Sequence, residues 1–217
     1  MKSETSISRS APDFSINIDD ICKVIVDTQL ASGEIPWCES QKTDPWDHVE
    51  SAMGLSIGGY LPQARQAFEW MACNQNEDGS WFSAYRQGVP ADRTRDANMS
   101  SYIAVGVFHH YLISGDPAIL ERMWSTVAAG IDFALSLQTP DGEIHWAISP
   151  EGKVDPMALL TGSSSIYMSL KCALAIANIL GHQKPAWKSA LTRLGDALRN
   201  KPHLFNVAKS RFSMYWF

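Results

Sequence analysis

Three groups of side chains in this sequence could do chemistry. The first is Asp44, Trp46, Asp47, His48 and Glu50. The second is Arg93, Arg95, Asp96, Asn98 and Tyr102. The third is Asp155, Ser163, Ser164, Ser165 and Tyr167. Asp47 and Glu50 stand three apart, so on a helix they share one face, and a pair of carboxylates can do acid–base work. Carboxylates and Arg take hydroxyl groups through charge-assisted hydrogen bonds. Trp46, Trp81, Tyr85 and Trp146 offer aromatic faces on which a ring can stack.

Each group also has a plainer reading. Asp44, Asp96 and Ser163 can be N-caps, whose side-chain oxygens take up the free amides of a first helical turn. Asp47 and Glu50 suit the positive end of a helix dipole, or pair with Arg93 or Arg95. Trp81 and Trp146 can be structural plugs. His109 and His110 fall late in a helix and read as a core or C-terminal pair, not as ligands. His48 has no partner at zinc-ligand spacing. No metal and no cofactor is indicated. Ser163 to Ser165 lack the Gly-x-Ser-x-Gly elbow of a serine hydrolase. Gly58-Gly59 ends a helix and is not a phosphate loop. Asn17-Ile-Asp19-Asp20 reads as a helix start.

The elements that must position these residues are helices. Helical periodicity recurs throughout, and strand-like alternation is rare. The spacing predicts helices over about 18–30, 44–58, 62–74, 96–113, 117–135, 163–181 and 185–198. Pro62, Pro117 and Pro185 stand where first-turn prolines belong. Gln29…Gly33…Trp37, Gln75…Gly79…Trp81 and Gln138…Gly142…Trp146 form an internal repeat, each copy following an amphipathic helix. Gly supplies the positive φ of a turn, Gln can bond freed backbone groups, and Trp folds back as an apolar plug between hairpins. The chain thus alternates outer and inner helices. The 96–113 helix is apolar nearly all round, as a doubly buried inner helix should be.

Composition bounds what this assembly can do. The 217 residues are 45% hydrophobic and carry a formal net charge of −5. Acidic balance and scattered Lys and Arg argue against a nucleic-acid surface. No run of about 18 apolar residues could span a membrane. Cys22, Cys38, Cys73 and Cys172 form no CxxC pair and read as buried thiols, and a cytoplasmic location follows by default.

The Gln-x-x-x-Gly-x-Trp turn resembles that of the terpene cyclase and protein prenyltransferase toroids. A longer match is to the six-hairpin glycosidases of the glucoamylase type. It is carried by Asp44-Pro-Trp-Asp47, by the stretch from Tyr60 to Trp70, by Asp78-Gly79-Ser-Trp81, by Asp96, and by His110-Tyr-Leu-Ile-Ser-Gly115-Asp116 with Leu120-Glu-Arg-Met-Trp124. It covers roughly residues 18–198. The resemblance implies an all-α fold, an α/α toroid of helical hairpins, whose site lies at the N-terminal ends of the inner helices. It implies a carbohydrate-active protein that hydrolyses or binds a glycan, by inverting hydrolysis with two opposed carboxylates if it catalyses. Asp47, Glu50 and Asp96 are the candidate catalytic groups, with Asp47 or Asp96 alternatively orienting sugar hydroxyls. Asp44, Trp46, His48, Arg93, Arg95, Asn98, Tyr102, Ser163, Ser164 and Tyr167 are the candidate substrate-binding residues.

The family's general-acid Glu follows a Trp after the third turn, whereas this chain reads Trp146-Ala147. A closed toroid of repeated hairpins has about twelve helices, of which about seven to eight are expected here. Residues 1–16 are expected to form a flexible leader and 17–217 a toroid domain truncated at its C-terminal end. An apolar open edge could pair copies of the chain. Two alternatives stand beside the glycan reading: a prenyltransferase- or terpene-cyclase-like enzyme on an isoprenoid, and a non-catalytic helical scaffold. A lining of acids, Arg and one or two exposed Trp favours sugar; a deep aromatic and aliphatic cavity with one acid favours isoprenoid; no concave pocket favours a scaffold.

Overall fold

The computed structural model describes residues 16–39 and 41–207. The expected leader, apart from Ile16, and the aromatic end at 211–217 lie outside the described residues. Among the described residues the outer helices are α1 (Ile18–Thr28), α3 (Leu61–Cys73), α6 (Ala118–Ser136) and α8 (Pro185–Asn200). The inner helices are α2 (Pro45–Ile57), the pair α4 (Ala97–Ser101) and α5 (Ile103–Ser114), and α7 (Leu160–Ile179). Inner helix α2 packs on α5, and α5 on α7; each inner helix also packs on the outer helix that follows it. This is the alternation expected from the sequence. The single 96–113 helix is broken at Tyr102 into α4 and α5.

The core fills the space between the two layers. Val49, Leu55, Phe68, Met71, Trp81, Ile103, Val107 and Leu120 are among its buried members. Inner and outer layers meet closely at Gly106, where a Cβ would lie 2.4 Å from Val49 Cγ1 and 2.9 Å from Phe68 Cε1. Helix α5 is not buried all round: Leu112 and Ile113 near its end are exposed.

The Gln–Gly repeat is a strap between outer helices. Gln29 Nε2 donates to Gly33 O and to Gln63 O of α3. Gln75 Nε2 donates to Gly79 O and to Thr126 O of α6. Gln138 Nε2 donates to Gly142 O and to Ala190 O of α8. Gly33, Gly79 and Gly142 have φ of +93°, +87° and +108°, and a Cβ on any of them would lie 2.2–2.4 Å from a carbonyl oxygen of the same neighbouring helix. Only glycine allows both the turn and the contact.

The plug stands two residues after the glycine in every copy. Ile35, Trp81 and Ile144 occupy it, all buried. The plug reading therefore holds for Trp81, whose Nε1 donates to Met71 O at 2.8 Å. Trp37 and Trp146 stand four residues after their glycines and lie elsewhere.

Short strands appear where the sequence suggested loops. β1 (Ala84–Arg86) and β2 (Val89–Asp92) form a hairpin. Its two turn residues, Gln87 and Gly88, both have positive φ, the signature of a tight two-residue turn. Tyr85 of β1 exchanges two backbone hydrogen bonds with Thr43, which fixes the approach to α2. β3 (Arg95–Asp96), β4 (His145–Ile148) and β5 (Val154–Ala158) form an antiparallel sheet. This sheet ties the start of α4 to the start of α7.

Candidate active site

The inner helices α2, α4 and α7 begin at Pro45, Ala97 and Leu160, and their first turns supply the site. Asp44 caps α2, accepting from Asp47 N at 2.9 Å. Its other oxygen accepts from Trp37 Nε1 at 2.6 Å. Asp96 caps α4, accepting from Asn98 N at 2.7 Å and Met99 N at 3.0 Å. Both residues are therefore caps, as the plainer reading held. Ser163 is not one: α7 begins three residues earlier, and Ser163 is buried on its first turn.

Two concavities meet these helix starts. A groove of about 410 Å³ is lined by Trp37, Asp47 and Glu50, together with residues of α1 and the first turn. A cavity of about 200 Å³ is lined by Trp46 and by Asp96 and Asn98 of the α4 start. Its other walls are Ile144 and Trp146 around β4, and Leu159, Thr161 to Ser163, Ser165 and Ile166 of the α7 start. Trp46 and Tyr102 join the two. Their rings stack with centroids 3.7 Å apart, and Tyr102 Oη donates to Glu50 Oε1 at 3.2 Å.

The carboxyls of this region repel one another. Asp47 is pushed up to about 6, first by burial, then by the Asp44 charge and a hydrogen bond with Asp44, then by the Glu50 charge. Asp96 is also pushed up to about 6, chiefly by burial, with the Asp44 charge adding to it against the two capping amides. A carboxyl held near 6 can give or take a proton close to neutral pH, as general acid–base work requires. Tyr102 is pushed up to about 12 by burial and by Glu50, so it stays a donor.

Three residues of the cavity lining each carry a buried polar atom with no hydrogen-bond partner among the described residues: Asn98 Oδ1, Trp146 Nε1 and Ser163 Oγ. Each unpaired group of this kind costs about 1–3 kcal/mol. They come from α4, β4 and α7, which the β3–β4–β5 sheet holds together.

Several expected site residues lie elsewhere. His48 is fully buried: its Nδ1 accepts from Ile35 N at 3.1 Å and its Nε2 contacts Ala67 O at 2.9 Å. Burial pushes it down to about 4, so it is a neutral core residue. Arg95 pairs with Asp78 of the second turn and not with Asp47 or Glu50. Arg93 is exposed, with its guanidinium 5.7 Å from the Phe82 ring centroid. Ser164 is exposed and donates to Leu160 O. Tyr167 faces α8, where its ring would obstruct any Cβ on Gly195. His110 lies in the core, hydrogen-bonded to Ser56 at 2.8 Å. Cys22 is buried and Cys172 partly so, but Cys38 and Cys73 are exposed, against the expectation of buried thiols.

Trp37 and Trp146 are what the repeat concealed. Their offset of four residues from glycine, against two for Trp81, is the signal that separates the tryptophans lining the two concavities from the plug.

The helix layers and the position of the site define an α/α toroid of helical hairpins, of the six-hairpin glycosidase type. No protein-family model matches the chain. It is 49% identical over 195 residues, 90% of its length, to an MMP endo-(1,4)-3-O-methyl-α-D-mannosidase of Mycolicibacterium hassiacum. It spans 54% of that relative. Among solved structures it superposes on a D-mannose isomerase with a TM-score of 0.61 and 11% identity, over 86% of this chain and 52% of that one. A cellobiose 2-epimerase of Spirochaeta thermophila gives 0.61 and 13%, over 84% and 53%. A possible GH105 family member from Salmonella enterica gives 0.60 and 10%, over 82% and 50%. Among the described residues no helix is long and apolar enough to cross a membrane.

Proposed function

We propose that this chain forms part of the active site of an endo-acting glycoside hydrolase, whose substrate is an α-(1,4)-linked mannose chain bearing 3-O-methyl groups. The observation that carries the reading is Asp47: a carboxyl held near 6 on the first turn of an inner helix, beside Trp46 and at the edge of an open groove. The substrate class is taken from the relative in Mycolicibacterium hassiacum.

In such a hydrolysis the bond from the anomeric carbon to the glycosidic oxygen breaks while a water oxygen bonds to that carbon. A carboxylic acid gives a proton to the leaving oxygen, and a carboxylate takes one from the water. Asp47 is assigned one of these transfers. Glu50, exposed and held by Tyr102, sustains the raised affinity of Asp47 for its proton. Asp96 orients sugar hydroxyls from the cavity. Four free cysteines suit a reducing compartment, and the cytoplasm is the proposed location. The open groove lined by Asp47, Glu50 and the exposed Trp37 favours a sugar over the deep apolar chamber that an isoprenoid needs.

The test is incubation of the protein that carries this chain with α-(1,4)-linked 3-O-methylmannose oligosaccharides, with product lengths read by mass spectrometry. Shortened oligosaccharides are expected, and Asp47→Asn should slow their formation by about 10²–10⁴-fold. No cleavage, or cleavage undiminished in Asp47→Asn, overturns the proposal.

A further inference from the structure

We infer that the cavity bounded by Asn98, Trp146 and Ser163 seats one O-methylated sugar residue, with the methyl group against Ile144, Leu159 and Ile166. The inference rests on the glycan reading above and says which part of the site recognises the substrate.

The unpaired groups set the chemistry. Asn98 Oδ1 is an acceptor, Trp146 Nε1 a donor, and Ser163 Oγ can be either. Ser163 is 1% exposed. One acceptor, one donor and one group of both kinds complement hydroxyl groups, each of which donates and accepts. A cation finds a single carboxyl here, Asp96, one oxygen of which already receives two backbone amides. A strongly anionic group would face that same carboxylate.

The remaining walls set the substituent. Ile144 and Ile166 are 1% and 2% exposed, and Leu159 lines the same space. A free hydroxyl turned toward them would leave its hydrogen unpaired. A methyl ether has no hydrogen to donate there, and its methyl group gains by leaving water. The cavity holds about 200 Å³, below the roughly 300–1,000 Å³ of sites that enclose whole drug-sized ligands. It therefore takes one residue of a chain whose remainder lies outside.

The test is calorimetric titration of the protein with α-(1,4)-linked mannose oligosaccharides, with and without 3-O-methyl groups, beside thermal melts. The protein should bind the methylated form about tenfold more tightly. Ser163→Ala should weaken binding of both forms about tenfold and leave the melting temperature unchanged or raised, because it deletes a buried hydroxyl without a partner. Leu159→Ala should bring the two affinities toward parity. Unchanged affinity in Ser163→Ala, with cleavage still lost in Asp47→Asn, overturns this seat and leaves the hydrolase reading intact. Equal affinity of the unaltered protein for both forms overturns the placement of the methyl group. Absence of binding to either form overturns the hydrolase reading and this inference together.

Discussion

Trp46 lies face to face with Tyr102, their ring centroids 3.7 Å apart and their planes 14° from parallel. One ring belongs to the first turn of α2 and the other to the junction of α4 and α5. The pair therefore couples two inner helices at the point where the groove of Asp47 and Glu50 meets the cavity of Asp96. One face of Trp46 is spent on Tyr102, which leaves its other face or its edge for the proposed sugar.

Tyr102→Phe keeps the stack and deletes the hydrogen bond to Glu50, whereas Tyr102→Ala deletes both. The first should cost about 0.5–1.5 kcal/mol of unfolding free energy. The second should cost more, by the buried ring and about 0.5–1.5 kcal/mol of aromatic pairing. Urea denaturation of the two variants separates the contributions. Equal losses would mean that the stack carries no stability.

Asp47 and Asp96 make stability depend on pH in a defined direction. Each is an acid whose folded value, about 6, lies above the ordinary 3.8. Between those values the folded chain binds more protons than the unfolded one, so both groups lower stability as pH rises from about 4 to about 6. His48 acts oppositely over much of the same range: its folded value, about 4, lies below 6.5, so it raises stability as pH rises. Asp47→Asn should therefore gain stability relative to the unaltered protein as pH climbs from 4 to 6, with the gain level above that. Denaturation at several pH values measures the difference. A constant difference across the range would show that the Asp47 carboxyl is unperturbed.

The straps predict two graded losses. Gln75→Ala removes donors to Gly79 O and Thr126 O and should cost about 1–3 kcal/mol. Gly79→Ala forces a side chain into a φ of +87° and against the Ala129 carbonyl, and should cost about 2–5 kcal/mol. Chemical denaturation orders the two. A Gly79→Ala protein as stable as the parent would show that α3 and α6 can separate freely.

The thiols should divide by exposure. Cys38 and Cys73 are exposed and should react quickly with an aromatic disulfide reagent. Cys22 is buried with its thiol directed at Gly54 O, and burial pushes both Cys22 and Cys172 up. These two should react only as the fold opens, which timed labelling and mass spectrometry will show.

The toroid was legible because its joints use residues with narrow physical roles. A glycine at positive φ, a glutamine able to bridge two carbonyls and a first-turn proline each leave a trace at fixed spacing. The caps at Asp44 and Asp96 were legible for the same reason. His48 was not: its position in the first turn matches a site residue, and only the depth of α2 against α3 turns it inward. The β3–β4–β5 sheet also escaped notice, since strands of two to five residues, one containing Pro156, show no usable alternation. With the sheet unseen, Trp146 could not be brought beside Asp96, nor Arg95 be turned away toward Asp78.

The straps also bear on how the chain reaches its fold. Each glutamine waits for a carbonyl 34, 51 or 52 residues further on. A strap can therefore close as soon as the next outer helix leaves the ribosome, before any later hairpin exists. Synthesis then proceeds as a series of latches, each completing the shelter of the hairpin made before it, and each inner helix spends little time with its apolar side uncovered.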